Sequence, residues 1–456
     1  MRDSHIDWDR FAGELNGIRT ITSGGQLRGR SRDFSWYSPI LNEQLKDCVA
    51  DLIVFPRSED DVKRIAALVS RWRVPLTIRG GGTGNYGQCV PLQGGVVMDM
   101  TDLKQVVEIG QGSVRVEAGA RIGELQSAVR ASGQDLLMFP STLRVATIGG
   151  FIAGGYAGVG SIRHGILKDR DNVRGIRVVT VEDVPRVIEL QGADIQKVHH
   201  AFGTNGIITQ LELTLKPAQD WLHTITLFES YGDALRFCTA VSTPELDLYL
   251  LTSVERGFAP FYAHLGERFP HDRHAVFAMV SPQSIDAWRE LAARHGGVES
   301  QCMNAHALEE HGLPPAYECA YNHTTLQALK TDRQWTYLQI AHPQPFDIEL
   351  SERLAQEFGD EIYWHHEFAR QFGEYRVFGI PLVRYTTAER QYEIMRIFES
   401  HGCATFDPHV VTIEDGGMKE IDHAQIDFKR LADPHGLLNP GKMRGWEELA
   451  AGTLAD

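Results

Sequence analysis

The feature that most limits how this chain can fold is a run with almost no side chain to bury. From Gly149 to Ser161 the sequence reads GGFIAGGYAGVGS, where nine of thirteen residues are Gly, Ala or Ser. The stretch from Phe139 to Gly165 around it has few apolar positions of helical or strand period. So long an irregular segment inside a compact domain is uncommon unless it is functional. Small residues let the backbone lie flat against something broad, and Thr142, Thr147 and Ser161 add short polar contacts. A planar aromatic cofactor suits such a wall.

A second glycine segment, RGGGTGNYGQ from Arg79 to Gln88, contains Gly82-x-Gly84-x-x-Gly87. A dinucleotide fingerprint requires a strand before these glycines and a helix after them, with the helix N-terminus facing the pyrophosphate. Here Gln-Cys-Val-Pro-Leu-Gln-Gly-Gly follows, and Pro91 with two glycines forbids that helix. The loop can still hold phosphate, because successive backbone N–H groups without Cβ obstruction can converge on an anion. A tight turn between strands is the plain alternative.

The surrounding chain reads as alternating elements. Residues 58–72 start with Ser58 and Asp61 in a capping-box arrangement and place Val62, Ile65, Ala66, Val69 and Trp72 on one helical face. Strands are expected at 74–78, 95–100 and 113–118, a helix at 121–132, strands at 173–181 and 184–190, a short helix at 193–200 and a strand at 207–215. Pro217 marks a boundary. Beyond it, strands at 222–228, 246–251, 275–280, 335–340, 361–368 and 376–383 alternate with helices beginning at 232, 284, 348 and 388, a second α+β lobe with two similar halves.

The chain has 456 residues, enough for two or three lobes with their own cores. Its 43% hydrophobic and 23% charged residues are those of an ordinary soluble protein. A net charge of -15 disfavours nucleic acid as a partner. No run reaches the roughly 18 apolar residues of a membrane span, and MRDSHIDWDR lacks an apolar signal core, so a cytoplasmic location is expected. Six separated cysteines without C-x-x-C argue against an iron–sulfur cluster, a thiol redox pair or a zinc knuckle.

Seven segments in order carry a family resemblance: 55–62, 75–84, 94–100, 116–119, 147–150, 161–165 and 203–209. Residues 45–217 resemble the FAD-binding domain of the vanillyl-alcohol oxidase / p-cresol methylhydroxylase (PCMH-type) superfamily. The C-terminal FKRLADPHGLLNPGK, Phe428 to Lys442, is similar to that family's closing motif, which returns to the FAD domain.

The resemblance implies an α+β fold: a two-subdomain FAD-binding domain at 45–217 and an α+β substrate (cap) domain at 218–425, with an N-terminal segment 1–44 and a returning segment 426–456. It implies pyrophosphate on Arg79, Gly80, Gly81, Gly82, Thr83 and Gly84, and flavin along Pro140, Thr142, Thr147, Gly149, Gly150, Ala153, Gly154 and Ser161. His164 and Gly165 lie nearby, and the backbone of Ile208 meets the adenine. Relatives that attach FAD covalently carry a His where Thr83 stands, and doubly attached ones add a Cys near Val145. Dissociable, noncovalent FAD is therefore expected. The usual Asp-Gly hairpin is replaced by Glu182-Asp-Val-Pro-Arg186.

Hydride transfer to a flavin requires a group that removes the neighbouring proton. The family's zinc-binding Gly-Glu-His-Gly and its His-x-Gly-Asp-Gly-Asn motif are both absent, and no metal is expected. The densest polar run is Tyr363-Trp-His-His-Glu-Phe-Ala-Arg370. Read as one strand, it puts Tyr363, His365 and Glu367 on one face and Trp364, His366 and Phe368 on the other. His365 and Glu367 are the candidate catalytic residues, against the alternative of solvated strand positions. Arg384 is a candidate for a substrate carboxylate, against a surface ion pair. Tyr317, Tyr321 and His323 line an aromatic site or simply pack, and Lys442 anchors the C-terminal turn or a flavin-proximal loop rather than acting as a base.

These readings converge on a flavoprotein that oxidises a CH–OH group, or a similarly activated C–H, of a small molecule. Reoxidation falls to oxygen, a quinone or a carrier protein, and homo-oligomerisation is left open. Two rivals stand: a zinc-assisted D-2-hydroxy-acid dehydrogenase using His365, His409 and Glu414, and a non-catalytic flavin-binding subunit of a larger oxidoreductase. A nicotinamide-dependent reductase is weaker for want of a fingerprint in context.

Overall fold

The computed structural model describes residues 6–169, 171–418 and 420–453. Residues 1–5 and 454–456, the outer ends of the expected terminal segments, lie outside them. The chain divides into two compact units, one of residues 1–156, 170–217 and 408–456, the other of residues 157–169 and 218–407.

The first unit holds two sheets, an α+β architecture. A four-stranded sheet has the order Arg19–Ile21, Leu52–Phe55, Val96–Asp99, Leu76–Arg79. Its last three strands are parallel. Leu52–Phe55 and Val96–Asp99 are buried throughout, as expected of parallel strands covered on both faces. Helix Glu59–Trp72 forms because Ser58 Oγ accepts the Asp61 amide at 3.1 Å while Asp61 accepts the Arg57 amide at 3.0 Å. It buries Val62, Ile65, Ala66 and Val69.

The second sheet of this unit is antiparallel. It is centred on Ile207–Pro217, which pairs with Ser113–Glu117 on one side and Val173–Val179 on the other. In the hairpin after Val179, Thr180 replaces the missing Asp-Gly turn: its hydroxyl accepts the Arg186 amide at 2.8 Å and donates to Glu182 at 2.6 Å.

Two sequence expectations change here. The residue 139–165 stretch is not all loop: Ile148–Gly154 and Ser161–His164 are short helices. The N-cap Thr147 supplies the start, accepting the Gly150 amide at 3.3 Å, a local signal that hydrophobic periodicity does not register. The second lobe ends at Asp407 rather than 425. Residues after it pack on the first unit, where His409 Nδ1 lies 2.7 Å from Ser38 Oγ and the Ile413 amide donates to Lys442 O at 2.9 Å. The N-terminal segment also belongs to that core, with Phe11 buried between Trp8 and Trp72.

The second unit is built on an eight-stranded antiparallel sheet. Its strands are β1 (Leu222–Phe228), β2 (Leu248–Val254), β3 (His274–Val280), β4 (Val298–Asn304), β5 (Gln339–Ala341), β6 (His365–Gln371), β7 (Glu374–Gly379) and β8 (Ala404–Phe406). The spatial order is β4-β1-β3-β2-β6-β7-β5-β8. Helices Tyr231–Val241, Ile285–Arg294, Ile348–Phe358 and Ala388–Ser400 follow β1, β3, β5 and β7. Each half is thus a β-α-β-β-α-β unit of order 4-1-3-2, joined to the other at its second strand. The expected strand 361–368 is two: Ile362–Tyr363 belongs to a small three-stranded sheet and β6 starts at His365. Trp364, whose amide and carbonyl both bond Glu255, marks the break. The expected strand 335–340 divides in the same way, at Leu338.

Candidate functional site

In the first unit the two glycine segments lie against each other. A Cβ on Gly80 would run into Thr147 Oγ1, and one on Gly81 into the carbonyl of Val145, so the approach requires glycine at both positions. Helix Ile148–Gly154 is held in turn by its first amides, with Ile148 N donating to Ala120 O at 2.9 Å and Gly149 N to Ala118 O at 2.8 Å.

The amides of Gly81, Gly82, Thr83 and Gly84 donate to nothing among the described residues, and all four residues are half-buried. Free amides on a partly covered loop require a partner, and an anion such as a pyrophosphate supplies it. Gly150 is exposed and Ala153 and Gly154 half-exposed, leaving a low surface beside the loop. These residues fit FAD.

Arg79 does not extend from this loop. Its guanidinium turns back beneath it, donating to Arg32 O at 2.5 Å and Cys89 Sγ at 3.2 Å, with Asp99 at 3.7 Å. Pro140 and Thr142 shape a turn by accepting the amides of Leu143, Val145 and Ala146. Ile208 is buried, paired with Val178 in the second sheet. Ser161, His164 and Gly165 belong to the second unit, where Ser161 Oγ accepts the Gly158 amide at 2.9 Å and His164 packs edge-on to Tyr249.

The closing segment contributes Asn439 and Lys429, which the sequence does not single out, beside Lys442, the expected anchor. Asn439 Nδ2 donates to Gln88 O at 2.7 Å and Phe202 O at 2.6 Å. Lys442 Nζ donates to Gly87 O and, at 2.7 Å, to Val90 O, and burial pulls its pKa down to about 8. Lys429, also buried, bonds Asp433 at 2.8 Å and Thr204 O at 2.8 Å. Their separation of more than 200 residues from Gln88 and Phe202 hides these contacts from local patterns.

The second unit carries the other polar cluster. His365 is fully buried, with Nε2 2.8 Å from both Glu367 Oε1 and Thr252 Oγ1 and Nδ1 3.0 Å from Thr324 Oγ1. Glu367 Oε1 also accepts the Tyr321 amide at 2.5 Å, whereas Glu367 Oε2 is buried with no hydrogen-bond partner. Tyr321 adopts φ 50 and ψ -145, a backbone conformation costly for a residue with a Cβ. Its phenol donates to Gly158 O at 2.5 Å. The buried Tyr262 hydroxyl is likewise unpartnered, and burial followed by nearby Cys319 and Glu367 raises its pKa. Solvated strand positions are therefore the wrong description of His365 and Glu367.

Arg384 is exposed, stacks over Trp335 at 4.7 Å and reaches Gln334 at 3.5 Å. Among the described residues it pairs with no carboxylate and makes no contact with His365 or Glu367. His323 pairs with Glu318 at 2.8 Å, and Tyr317 packs edge-on to His223. Two members of the proposed zinc set are committed within the first unit: His409 lies at Ser38, and Glu414 accepts the amides of Arg444 at 2.9 Å and Gly445 at 2.8 Å. Among the described residues, no group of three or more His, Cys, Asp or Glu is arranged to hold a metal ion. No described helix is long and apolar enough to cross a membrane.

Residues 50–183 match the family model described as FAD binding domain. The chain is 30% identical over 194 residues to glycolate oxidase subunit GlcD of Bacillus subtilis (strain 168), covering 40% of this chain and 41% of that protein. It is 39% identical over 135 residues to D-2-hydroxyglutarate dehydrogenase of Escherichia coli (strain K12), covering 28% of this chain and 13% of that one. With D-lactate dehydrogenase of Archaeoglobus fulgidus the identity is 23% over 421 residues, 86% of this chain and 91% of the relative. Among solved structures, alkyldihydroxyacetonephosphate synthase has a similar fold, with a TM-score of 0.73 at 16% identity over 96% of this chain and 86% of that chain. With its free-amide loop seated on the Thr147 segment, the chain carries, over residues 50–183, a domain that matches the FAD binding domain family.

Proposed function

We propose that this chain is an FAD-dependent oxidoreductase that oxidises the CH–OH group of a small 2-hydroxy acid. The carrying observation is the loop of unpaired amides, Gly81 to Gly84, in a domain matching the FAD binding family. Bound FAD supplies the hydride acceptor. The substrate class is supported by relatives named for glycolate, D-lactate and D-2-hydroxyglutarate. The chain's residues bind, orient and accept a proton. Glu367 Oε2, buried and unpartnered, is suited to accept the proton of the substrate hydroxyl. FAD is held without a covalent bond, in keeping with Thr83 and Val145 at the attachment positions. The electron acceptor is oxygen, a quinone or a carrier protein.

The test is the visible spectrum of the purified protein before and after acid precipitation, followed by anaerobic mixing with glycolate, D-lactate and D-2-hydroxyglutarate. Flavin released to the supernatant and bleached by one of these acids is the expected result. A protein that takes up no FAD overturns the reading, and flavin that no hydroxy acid bleaches overturns the substrate class. The first relative is named as a subunit, which favours a second reading in which turnover requires another chain. Activity that appears only with a co-purifying protein would support it.

A further inference from the structure

The hydrogen bonds around His365 determine more than its position. Each neighbouring threonine has one hydroxyl proton to give. Thr252 Oγ1 lies 3.0 Å from the carbonyl of His366 and Thr324 Oγ1 lies 2.7 Å from the carbonyl of Tyr321, acceptors that bind those protons. Both hydroxyls then face the imidazole with lone pairs. Nδ1 meets only Thr324 Oγ1, and Nε2 meets Thr252 Oγ1 and Glu367 Oε1, all acting as acceptors. A ring whose two nitrogens both face acceptors carries a proton on each.

We infer that His365 is a positioning residue held as an imidazolium, forming a buried ion pair that fixes Glu367 as a carboxylate with Oε2 open. Glu367 Oε1 is already committed to the imidazolium and to the Tyr321 amide, so the carboxylate cannot turn without breaking two charge-assisted bonds. His366, adjacent in the strand, is pushed well below ordinary histidine, chiefly by burial and then by His342 and His365. Phe258 packs edge-on to the His365 ring at 6.1 Å, closing that face to water. The open oxygen is thus an acceptor with no proton of its own. It takes a donor, such as a hydroxyl, and rejects a second carboxylate. That use of the oxygen rests on the function proposed above; the charge state of the pair does not.

Histidine-ring nitrogen NMR of uniformly ¹⁵N-histidine-labelled protein tests this without any substrate. His365 is identified as the signals missing from His365→Gln. Two protonated ring nitrogens are expected in the unaltered chain, against one in a neutral ring. Glu367→Gln, which removes the counter-charge, should return one nitrogen to the unprotonated state, a change that packing alone does not produce. One unprotonated nitrogen in the unaltered chain overturns the inference. Should a variant fail to fold, neutron density on deuterated crystals of the unaltered chain reads the same two positions. Hydroxy acids that all fail to bleach the flavin would remove the proposed activity while the NMR result still decides the ion pair.

Discussion

The side-chain amide of Asn439 holds the backbone carbonyl of Gln88 at 2.7 Å across 351 residues of sequence, and the same nitrogen holds the carbonyl of Phe202 at 2.6 Å. The C-terminal segment is therefore a fastener for loops on either side of the cofactor cradle. Asn439→Leu leaves both carbonyls without this donor, at a cost of about 2–4 kcal/mol. Urea unfolding should show that loss. An Asn439→Leu chain with unaltered stability would mean that solvent reaches the carbonyls.

Gly80→Ala should fold and bind FAD at least about tenfold more weakly, equivalent to about 1.4 kcal/mol. Its Cβ meets Thr147 Oγ1 and pushes the free-amide loop off the helix N-cap. Flavin fluorescence titration of the apoprotein gives the dissociation constant, and a Gly80→Ala constant equal to the unaltered one would show that the loop does not hold the cofactor.

Lys429 and Asp433 form a buried pair at 2.8 Å, with Asp433 also accepting the amides of Leu437 and Leu438. Burial lowers the Lys429 pKa, and the Asp433 charge acts against that shift. Lys429→Met leaves Asp433 buried without its cation and should cost about 3–5 kcal/mol. The double change Lys429→Met with Asp433→Asn should recover part of this. Calorimetric melting compares the three chains.

Stability should fall as pH drops below about 6.5, the free-histidine value. Burial lowers His223 and His274 to about 4 and His342 to about 3, and lowers His366 strongly as well. Their folded pKa values lie below the unfolded one, so the unfolded chain binds more protons throughout that window. Each of His223 and His274 then costs about 2 kcal/mol by about pH 5. Glu255 opposes them: burial raises it to about 7, so between 7 and its ordinary 4.5 the folded chain binds more protons and gains stability. These four histidines together outweigh Glu255, leaving a net loss from the five groups. His342→Leu should flatten the dependence, measured as the urea midpoint between about pH 7 and about pH 5.

Most of the first unit could be read in advance because its signals are local. Ser58 and Asp61 cap a helix whose apolar face repeats at 3.6 residues, and the buried runs Leu52–Phe55 and Val96–Asp99 mark parallel strands. The glycine segments were legible as a cradle, but not the mutual contact of Gly80 with Thr147. In the second unit, His365 and Glu367 stood out as a polar cluster in an apolar strand. Thr252, Thr324 and Tyr321, which give the cluster its geometry, come from positions 41 to 114 residues away and carry no distinctive spacing. Arg384 attracted attention by its charge, although its neighbours are Trp335 and Gln334.

The doubled sheet of the second unit has a consequence for the symmetry of the cluster. Thr252 lies on β2 and Glu367 on β6, directly paired across the seam where one half meets the other. A lone half ends there in an open strand edge, which a second identical half would close by symmetric pairing. In such a pair the seam would be twofold, and any residue placed there would occur twice. In a single chain the two sides can differ, and here one edge supplies a hydroxyl and the other an imidazole and a carboxylate. A twofold pair of identical halves could not carry that asymmetry at one place only.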